Sequence, residues 1–153
     1  MIDAKYKSYG AEFYGTYGIG GFSLVANATY SHAQKAGSGS NTYVRADGIP
    51  DLIYTLSSEY AFKRWFSAGL TATGQTSEVD GGGNTYPGDT TFGAILKFMP
   101  VDKLELGLQV YNLFDTFALR GNGGIADGSV TPTLLGGAPV IGRTITGSVR
   151  FSF

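Results

Sequence analysis

The sequence contains no cysteine and a single histidine, His32. Without thiols, the chain has neither a disulfide framework nor a thiolate metal site. It also lacks a Ser–His–acid spacing, a paired-carboxylate motif and a cluster of metal ligands on which catalysis could be based. We therefore expect a protein that is not an enzyme and uses no cofactor or metal, with His32 at the rim of a strand.

Charged residues are scarce too. They make up 15% of the chain, with a formal net charge of −1, against roughly 25% in an ordinary soluble domain. No basic tract is present, which argues against a nucleic-acid partner. No run of about 18 apolar residues predicts a transmembrane helix. The first residues, MIDAKYKSYGAEF, lack the apolar core of a signal peptide, so we expect any leader to lie outside these 153 residues.

Aromatic residues and glycine are abundant instead, at 14% of the chain and 24 residues. Mean hydropathy is only +0.01 because apolar residues alternate with small or polar ones. This period of two predicts strands, since successive side chains of a strand point to opposite faces. The predicted strands are 5–17, 22–34, 51–62, 65–77, 89–98, 103–114 and 142–153. Each is long enough to cross a membrane when tilted, whereas globular strands are usually about five or six residues long.

The predicted connections alternate between short and long. Residues 18–21, 63–64 and 99–103 form tight turns, whereas the other connections are long and rich in Gly, Ser, Asn and Asp. Short turns on the periplasmic side and long extracellular loops are typical of outer-membrane barrels. Aromatic residues collect at the short-turn end, as expected at a membrane–water interface: Tyr17, Phe22, Phe62, Trp65, Phe66, Phe98, Phe151 and Phe153.

Two other interpretations remain open at this stage. A soluble β-sandwich binding module would use the same aromatic residues as core. A small self-contained outer-membrane barrel with a structural, adhesive or lipid-modifying role would need an eighth strand. Seven antiparallel strands do not close as an even-numbered barrel, and open edges in lipid leave backbone groups unsatisfied. We therefore expect further strands to come from elsewhere.

Two stretches near the end of the chain resemble a known family. PVDKLELGLQVYNLFD (100–115) is similar to the penultimate barrel strand of TonB-dependent outer-membrane receptors, which ends in the motif Asn112, Leu113, Phe114 and Asp115. GRTITGSVRFSF (142–153) resembles their last strand. Its alternating residues are similar to the signal that the barrel-assembly machinery reads: Ile145, Gly147, Val149, Phe151 and Phe153.

The resemblance implies an all-β chain, an antiparallel transmembrane segment of about seven strands from a 22-stranded barrel. Residues 1–153 would be the C-terminal part of the barrel, with the plug domain and signal peptide absent. The whole receptor would take up a ferric siderophore, cobalamin or oligosaccharide across the bacterial outer membrane. Its partners would be outer-membrane lipid and lipopolysaccharide, the remaining strands and the plug, and TonB through the plug.

Two groups of side chains are candidates for function. The first is predicted to face the barrel lumen, as a solvated wall or, with the resemblance, as a seat for the plug: Glu12, Tyr14, Glu59, Gln75, Lys97, Glu105, Gln109, Tyr111 and Arg150. Charges are tolerated there because the lumen is polar. The second group lies in the long loops, where binding residues concentrate on rigid scaffolds: Tyr43, Arg45, Tyr86, Arg120, Asn122 and Asp127.

Overall fold

The computed structural model describes residues 5–37, 39–121 and 137–152, and these are folded almost entirely as antiparallel β-structure. Seven long strands form one sheet: β1 (Lys5–Ile19), β2 (Phe22–Ala36), β4 (Leu52–Lys63), β5 (Phe66–Gln75), β8 (Asp89–Val101), β9 (Leu104–Tyr111) and β12 (Thr144–Phe151). Five short strands lie in the loops: β3 (Val44–Arg45), β6 (Glu78–Val79), β7 (Thr85–Tyr86), β10 (Leu119–Gly121) and β11 (Gly137–Pro139).

Long strands that follow one another along the chain pair with each other, giving the order β1-β2-β4-β5-β8-β9-β12. The prediction of about seven antiparallel strands is therefore confirmed. The short strand β3 extends the sheet beside the end of β2, where Arg45 lies opposite Gln34. Within the described residues β1 and β12 form the two edges of the sheet, which is not closed. No helix in this part of the chain is long and apolar enough to cross a membrane.

One face of the sheet is apolar, and the register shows how it is built. A row across all seven strands runs through Tyr17, Leu24, Ser58, Leu70, Ala94, Val110 and Ile145. The neighbouring row towards the short turns contains Tyr60, Leu96 and Leu108. We call this surface the apolar face. Many of its large side chains are well exposed, among them Leu70 at 59% and Val149 at 74%.

The core is too small for a soluble sandwich. The buried hydrophobic residues of the described chain are Ala33, Ala36, Ala46 and Tyr86, all at the loop end. No second multi-stranded sheet packs on the apolar face, because the other described strands form two-stranded pairs. A soluble sandwich buries both inner faces in a shared core about 10 Å thick. This single layer therefore disagrees with the sandwich interpretation.

Aromatic side chains form a continuous cluster at the short-turn end of the apolar face. The ring of Phe62 lies 4.8 Å from that of Tyr60 and 5.5 Å from that of Phe66. Trp65 and Phe98 meet edge to face at 5.5 Å. These rings lie beside the short turn between β4 and β5, where the sequence placed the aromatic residues.

Two hydroxyl groups on the apolar face, those of Tyr54 and Thr90, are hydrogen-bonded to each other. Tyr54 crosses β5 at Gly74, and its hydroxyl lies 2.5 Å from the Thr90 hydroxyl on β8. A Cβ at Gly74 would collide with the tyrosine ring and hydroxyl, so only glycine leaves room for this crossing. One hydroxyl donates to the other, so each of these two polar groups has a hydrogen-bond partner on this face.

The long connections contain structure that the sequence analysis missed. The β6–β7 hairpin lies in the second long loop, and β10 pairs with β11 in the third. Gly48 of the first loop donates its backbone N–H to the Val79 carbonyl of the second loop at 2.7 Å. The first two loops are therefore tied together above the sheet.

The motif Asn112–Asp115 is a turn, so the prediction that the strand continues to residue 114 is wrong. Strand β9 ends at Tyr111 because Asn112 has a left-handed φ of 50°. The Asn112 side chain, 1% exposed, donates to the carbonyls of Thr116 at 2.9 Å and Ile141 at 3.1 Å. Asp115, also left-handed, accepts the N–H of Arg143 at 2.8 Å. The motif thus joins the end of β9 to the start of β12.

Candidate functional site

The second face of the sheet, which we call the polar face, contains every residue predicted to line the lumen. Glu12 lies on the same row as Gln75, since both align through Thr29 and Ile53. The remaining predicted residues share this face by the same register: Tyr14, Glu59, Lys97, Glu105, Gln109, Tyr111 and Arg150. The alternation of seven strands therefore collects them on one surface.

An ion-pair network crosses three strands of the polar face near the short turns. Lys97 of β8 donates to both carboxylate oxygens of Glu59 on β4, at 2.9 and 3.1 Å. Ser67 of the intervening β5 donates its hydroxyl to the same carboxylate at 2.7 Å. Gly69, opposite Glu59, has no side chain to fill the space between the pair. All three polar side chains remain partly exposed and accessible to a further partner.

A second, weaker ion pair lies at the edge of the same face. Glu105 of β9 is opposite Arg150 of β12, and the guanidinium approaches the carboxylate at 3.8 Å. The Arg150 side chain is 77% exposed because β12 has no further strand beside it in the described residues. Most of the Arg150 side chain is therefore accessible at this edge of the sheet.

Towards the loop end from these ion pairs, the polar face has a row of uncharged hydrogen-bonding groups. One row across five strands reads Tyr14, Asn27, Thr55, Thr73 and Thr91. Hydroxyl and amide groups can both donate and accept hydrogen bonds. The surface can therefore contact a folded polar partner without requiring a complementary charge at each position.

Arg45, a predicted loop residue, is fixed where the first two loops meet. Its guanidinium donates to the Ser77 carbonyl at 2.5 Å and lies 3.4 Å from the Asp51 carboxylate. The other Asp51 oxygen is 3.3 Å from Nδ1 of His32, near the end of β2. Tyr43, also predicted, lies beneath the Lys7 ammonium, which is 4.0 Å from the centre of the tyrosine ring.

Tyr86 belongs to a separate network around Asp80 in the β6–β7 hairpin. The Asp80 carboxylate accepts hydrogen bonds from the backbone of Gly82 and Asn84, the Asn84 side chain and the Tyr86 hydroxyl. These bonds, above all that from the Asn84 side chain, hold the pKa of the Asp80 carboxyl below its usual value. Burial, followed by the nearby Asp80 carboxylate, raises the pKa of the Tyr86 hydroxyl.

The side-chain positions of several candidate residues are not described by the structure. Arg120 lies in β10, for which only the backbone is described. Asn122, Asp127 and Phe153 lie outside the described residues. The structure therefore brings together Arg45 and Tyr43 near the end of β2, and it places Tyr86 in the adjacent hairpin.

The loop contacts depend on acidic residues that the sequence analysis did not select. Asp51 holds Arg45, Asp80 organises the hairpin, and Asp47 pairs with Lys35. For Asp80 and Asp47 the only available signal was an aspartate beside glycine, in DGGGN and ADGIP, a general mark of turns; Asp51 has no glycine beside it. No group of three or more metal-binding side chains occurs among the residues with described positions.

This two-faced sheet of long antiparallel strands is the architecture of a membrane β-barrel wall, and comparison with known proteins specifies the family. Residues 2–113 match the model of the TonB-dependent receptor-like β-barrel. The chain belongs to this family, as the resemblance implied. No curated protein sequence is significantly similar to the chain.

Solved structures share the fold. The ferric-catecholate import receptor Fiu of Escherichia coli K12, in its closed form, has a TM-score of 0.75 and 23% identity over 98% of this chain and 21% of its own. The siderophore receptor PiuA of Acinetobacter baumannii has a TM-score of 0.71 and 14% identity, over 98% of this chain and 22% of its own. The outer-membrane ferripyoverdine receptor of Pseudomonas aeruginosa has a TM-score of 0.70 and 20% identity, over 99% of this chain and 20% of its own. The chain thus spans about a fifth of these receptors.

Proposed function

We propose that this chain is the C-terminal wall segment of a receptor that takes up a scarce nutrient across the bacterial outer membrane. The single observation that carries the proposal is the division of the sheet into two faces. Along the long strands, the apolar face carries only Lys5 and Lys7 at the loop end and Lys63 at the turn end as permanent charges. The ion pairs Glu59–Lys97 and Glu105–Arg150 lie on the polar face.

In this proposal the apolar face contacts lipid, and the aromatic cluster beside Trp65 lies at the periplasmic interface. Exposed apolar side chains cost little in hydrocarbon, whereas a charged one costs about 2–4 kcal/mol at mid-membrane. The open edges at β1 and β12 are paired by strands from the rest of the receptor. These strands are required because unpaired backbone groups are unfavourable in lipid.

The polar face then lines the lumen and contacts the plug domain, through which TonB transmits energy. The Glu59–Lys97–Ser67 network and the row of hydroxyl groups beginning at Tyr14 offer this plug a partly exposed, preorganised surface. The terminal strand, with Ile145, Val149 and Phe151 towards lipid, also serves as the signal for barrel assembly.

The transported nutrient is proposed to be a metal chelate such as a ferric siderophore. Support comes from similar structures named as siderophore, ferric-catecholate and ferripyoverdine receptors. A copper transporter, OprC, is also similar, with a TM-score of 0.70. The first two loops, tied together through Arg45 and Gly48, form part of the extracellular binding surface.

Spin labelling of the full-length protein in lipid vesicles tests the two faces. Leu70→Cys places a label on the apolar face, and Thr71→Cys places one on the polar face of the same strand. We expect oxygen, which concentrates in lipid, to relax the first label more strongly, and a water-soluble nickel chelate to relax the second more strongly. Equal access of both reagents to both labels would overturn the proposal.

Transport is tested separately by uptake of radiolabelled iron chelates in cells that depend on the full-length protein. We expect uptake of at least one chelate to require both the protein and TonB. Uptake that is unchanged when TonB is deleted would contradict the proposed mechanism, even if the labels confirm the membrane orientation.

A further inference from the structure

Four charged side chains of alternating sign form a band across the polar face near the short turns. Glu59 of β4 is followed by Lys97 of β8, its partner at 2.9 Å. Glu105 of β9 is followed by Arg150 of β12, where the band reaches the edge of the described sheet. We call these four side chains the charge band. A strand added beside β12 would continue the band, and the next charge in the alternating series is negative.

Glu105 satisfies Arg150 only in part. The guanidinium nitrogen and the carboxylate oxygen lie 3.8 Å apart, which is too far for a hydrogen bond. The Glu59–Lys97 contact, by contrast, contains two hydrogen bonds, at 2.9 and 3.1 Å. The Arg150 side chain is 77% exposed. Its guanidinium is therefore accessible to a second carboxylate from the open side of β12.

The backbone of β12 places Arg150 where the side chains of a further strand come close. Ser152 donates its N–H to the Lys103 carbonyl at 2.9 Å, so even-numbered residues of β12 direct their backbone groups to β9. Arg150 is thus at a hydrogen-bonded position towards Glu105, where Cα atoms lie about 5.5 Å apart. Towards the next strand it is at a non-hydrogen-bonded position, where Cα atoms lie about 4.5 Å apart. An acidic residue there approaches Arg150 more closely than Glu105 does.

Arg150 also distinguishes the correct register of a neighbouring strand from its nearest alternatives. A strand shifted by two residues keeps its apolar side on the apolar face, so patterning alone does not exclude the shift. On the polar side of β12, such a shift exchanges one hydroxyl neighbour for another, except at Arg150. The same shift moves an acidic residue about 7 Å away from the position opposite Arg150. The hydroxyl residues of this side are Thr144, Thr146, Ser148 and Ser152.

The direction of β12 limits which strand can occupy this edge. β1 and β12 both run from the loop end to the short-turn end, since β1 ends at Ile19 beside a tight turn and β12 ends at Phe151 opposite Leu104. In copies inserted in the same orientation, a second β1 or β12 would pair with this edge in parallel. All pairs of the described sheet are antiparallel. The occupant therefore runs outward, as a strand from the rest of the receptor can.

We propose that the strand closing the barrel against β12 carries an aspartate or glutamate directly opposite Arg150, and that this ion pair specifies the register of closure. The carboxylate extends the charge band on the polar face, and apolar residues of the same strand adjoin Val149 on the other face. Charged pairs of this kind fix register more than they add affinity. The inference rests on the proposed function, because it requires the rest of the receptor to close the sheet.

Disulfide mapping in the full-length protein locates the residue opposite Arg150. Ser148→Cys places a thiol on the same face and likewise at a non-hydrogen-bonded position, where facing Cα atoms lie within disulfide range. Single cysteines are introduced along each outward-running strand of the remaining receptor, and cross-links are identified by mass spectrometry. The residue two positions nearer the periplasm than the best-linked cysteine faces Arg150. We expect aspartate or glutamate there, and a neutral or basic residue would overturn the inference.

The same cross-links test whether Arg150 specifies the register. In Arg150→Ser the polar side of β12 carries only hydroxyl groups, so links should spread to cysteines two residues on either side of the original one. Arg150→Lys keeps the charge and should keep the single register. A single unchanged register in Arg150→Ser would show that other contacts specify closure, which contradicts the proposal.

Charge reversal tests the pairing itself. Arg150→Glu should lower the equilibrium constant for folding into vesicles about tenfold, because it places like charges opposite each other. Reversing the opposite acidic residue to lysine should restore most of this loss, and Glu105→Lys should restore less. Full rescue by Glu105→Lys would assign Arg150 to Glu105 alone and overturn the inference. The matched control is Arg143→Glu, the same charge change at an exposed residue just before β12, and an equal loss there would show that only net charge matters.

The outcomes separate this inference from the proposed function. If Ser148→Cys links to a receptor strand whose facing residue is not acidic, the barrel closes as proposed and the register inference is wrong. If it links only to a second copy or to no strand, the receptor does not close against β12 and the inference is overturned. The Leu70→Cys label then shows whether the membrane orientation fails as well.

Discussion

The two faces of this sheet share one backbone but expose different side chains, apolar on one face and charged or polar on the other. The apolar face leaves Leu70 and Val149 more than half exposed, and the Tyr54 hydroxyl on it is hydrogen-bonded to that of Thr90. The polar face keeps charges in networks such as Glu59–Lys97 and leaves them accessible. Neither face has a core of its own. The comparison indicates that each side chain is matched to what lies outside the sheet rather than to a protein interior.

The largest expected effect comes from placing a charge on the wrong face. Leu70→Arg should destabilise insertion of the full-length protein by about 2–4 kcal/mol if the apolar face contacts hydrocarbon. Thr71→Arg, the adjacent residue on the polar face, should cost less than about 1 kcal/mol, since Gly93 opposite it leaves space. The free energy of folding into vesicles is measured by urea titration. Equal effects of the two arginine substitutions would contradict the proposal that only the apolar face contacts hydrocarbon.

The next effect tests Asn112, the most deeply buried polar side chain among the described residues, which directly follows β9. Asn112→Ala should reduce stability by about 1–3 kcal/mol because the carbonyls of Thr116 and Ile141 lose their donor. Asn112→Gly keeps the left-handed backbone available but removes the side chain. A glycine variant as stable as the wild type in urea titration would show that the left-handed φ, and not hydrogen bonding, accounts for the contribution of Asn112 to stability.

A smaller effect is expected from the ion pairs of the polar face. A double-mutant cycle with Glu59→Gln and Lys97→Met should give a coupling of about 0.5–1 kcal/mol, because the pair is partly exposed to solvent. The same cycle with Glu105→Gln and Arg150→Met should give a coupling near zero, given its 3.8 Å separation and exposed arginine. Similar couplings from both pairs, in the same urea titrations, would contradict this ranking.

The smallest effect is local and depends on pH. The pKa of Asp80 in the folded protein lies below the ordinary aspartate pKa of about 3.9. Its carboxylate therefore stabilises the hairpin at pH values above about 3.9, and this stabilisation is lost as the pH falls through the folded pKa. A spin label at Thr85→Cys should keep constant mobility from pH 7 to about 5 and become more mobile below about 4. The transition should disappear in Asp80→Asn, and its persistence there would assign it to another group.

The strands were predictable because their information is local. Apolar and polar residues alternate visibly in the sequence at 22–32 and 103–110. In a pleated strand this alternation is enough to place the two kinds of side chain on opposite faces. The nine polar-face residues therefore came together as the pattern implied. The turn at Asn112 was not predictable in this way, because its partners include Ile141, 29 residues away. Arg45 was selected as a loop residue, but its contact with Ser77 depends on how two loops meet.

The sequence by itself determined the class of fold: seven long antiparallel strands, short turns alternating with long loops, and a period of two that separates apolar from polar residues. Tertiary structure decided what the loops do and where charges meet. Glu59 reaches Lys97 across β5, and Arg45 contacts the Asp51 carboxylate and the Ser77 carbonyl of the next loop. Strand alternation is a property of neighbouring residues, whereas these contacts depend on register and loop packing between distant parts of the chain.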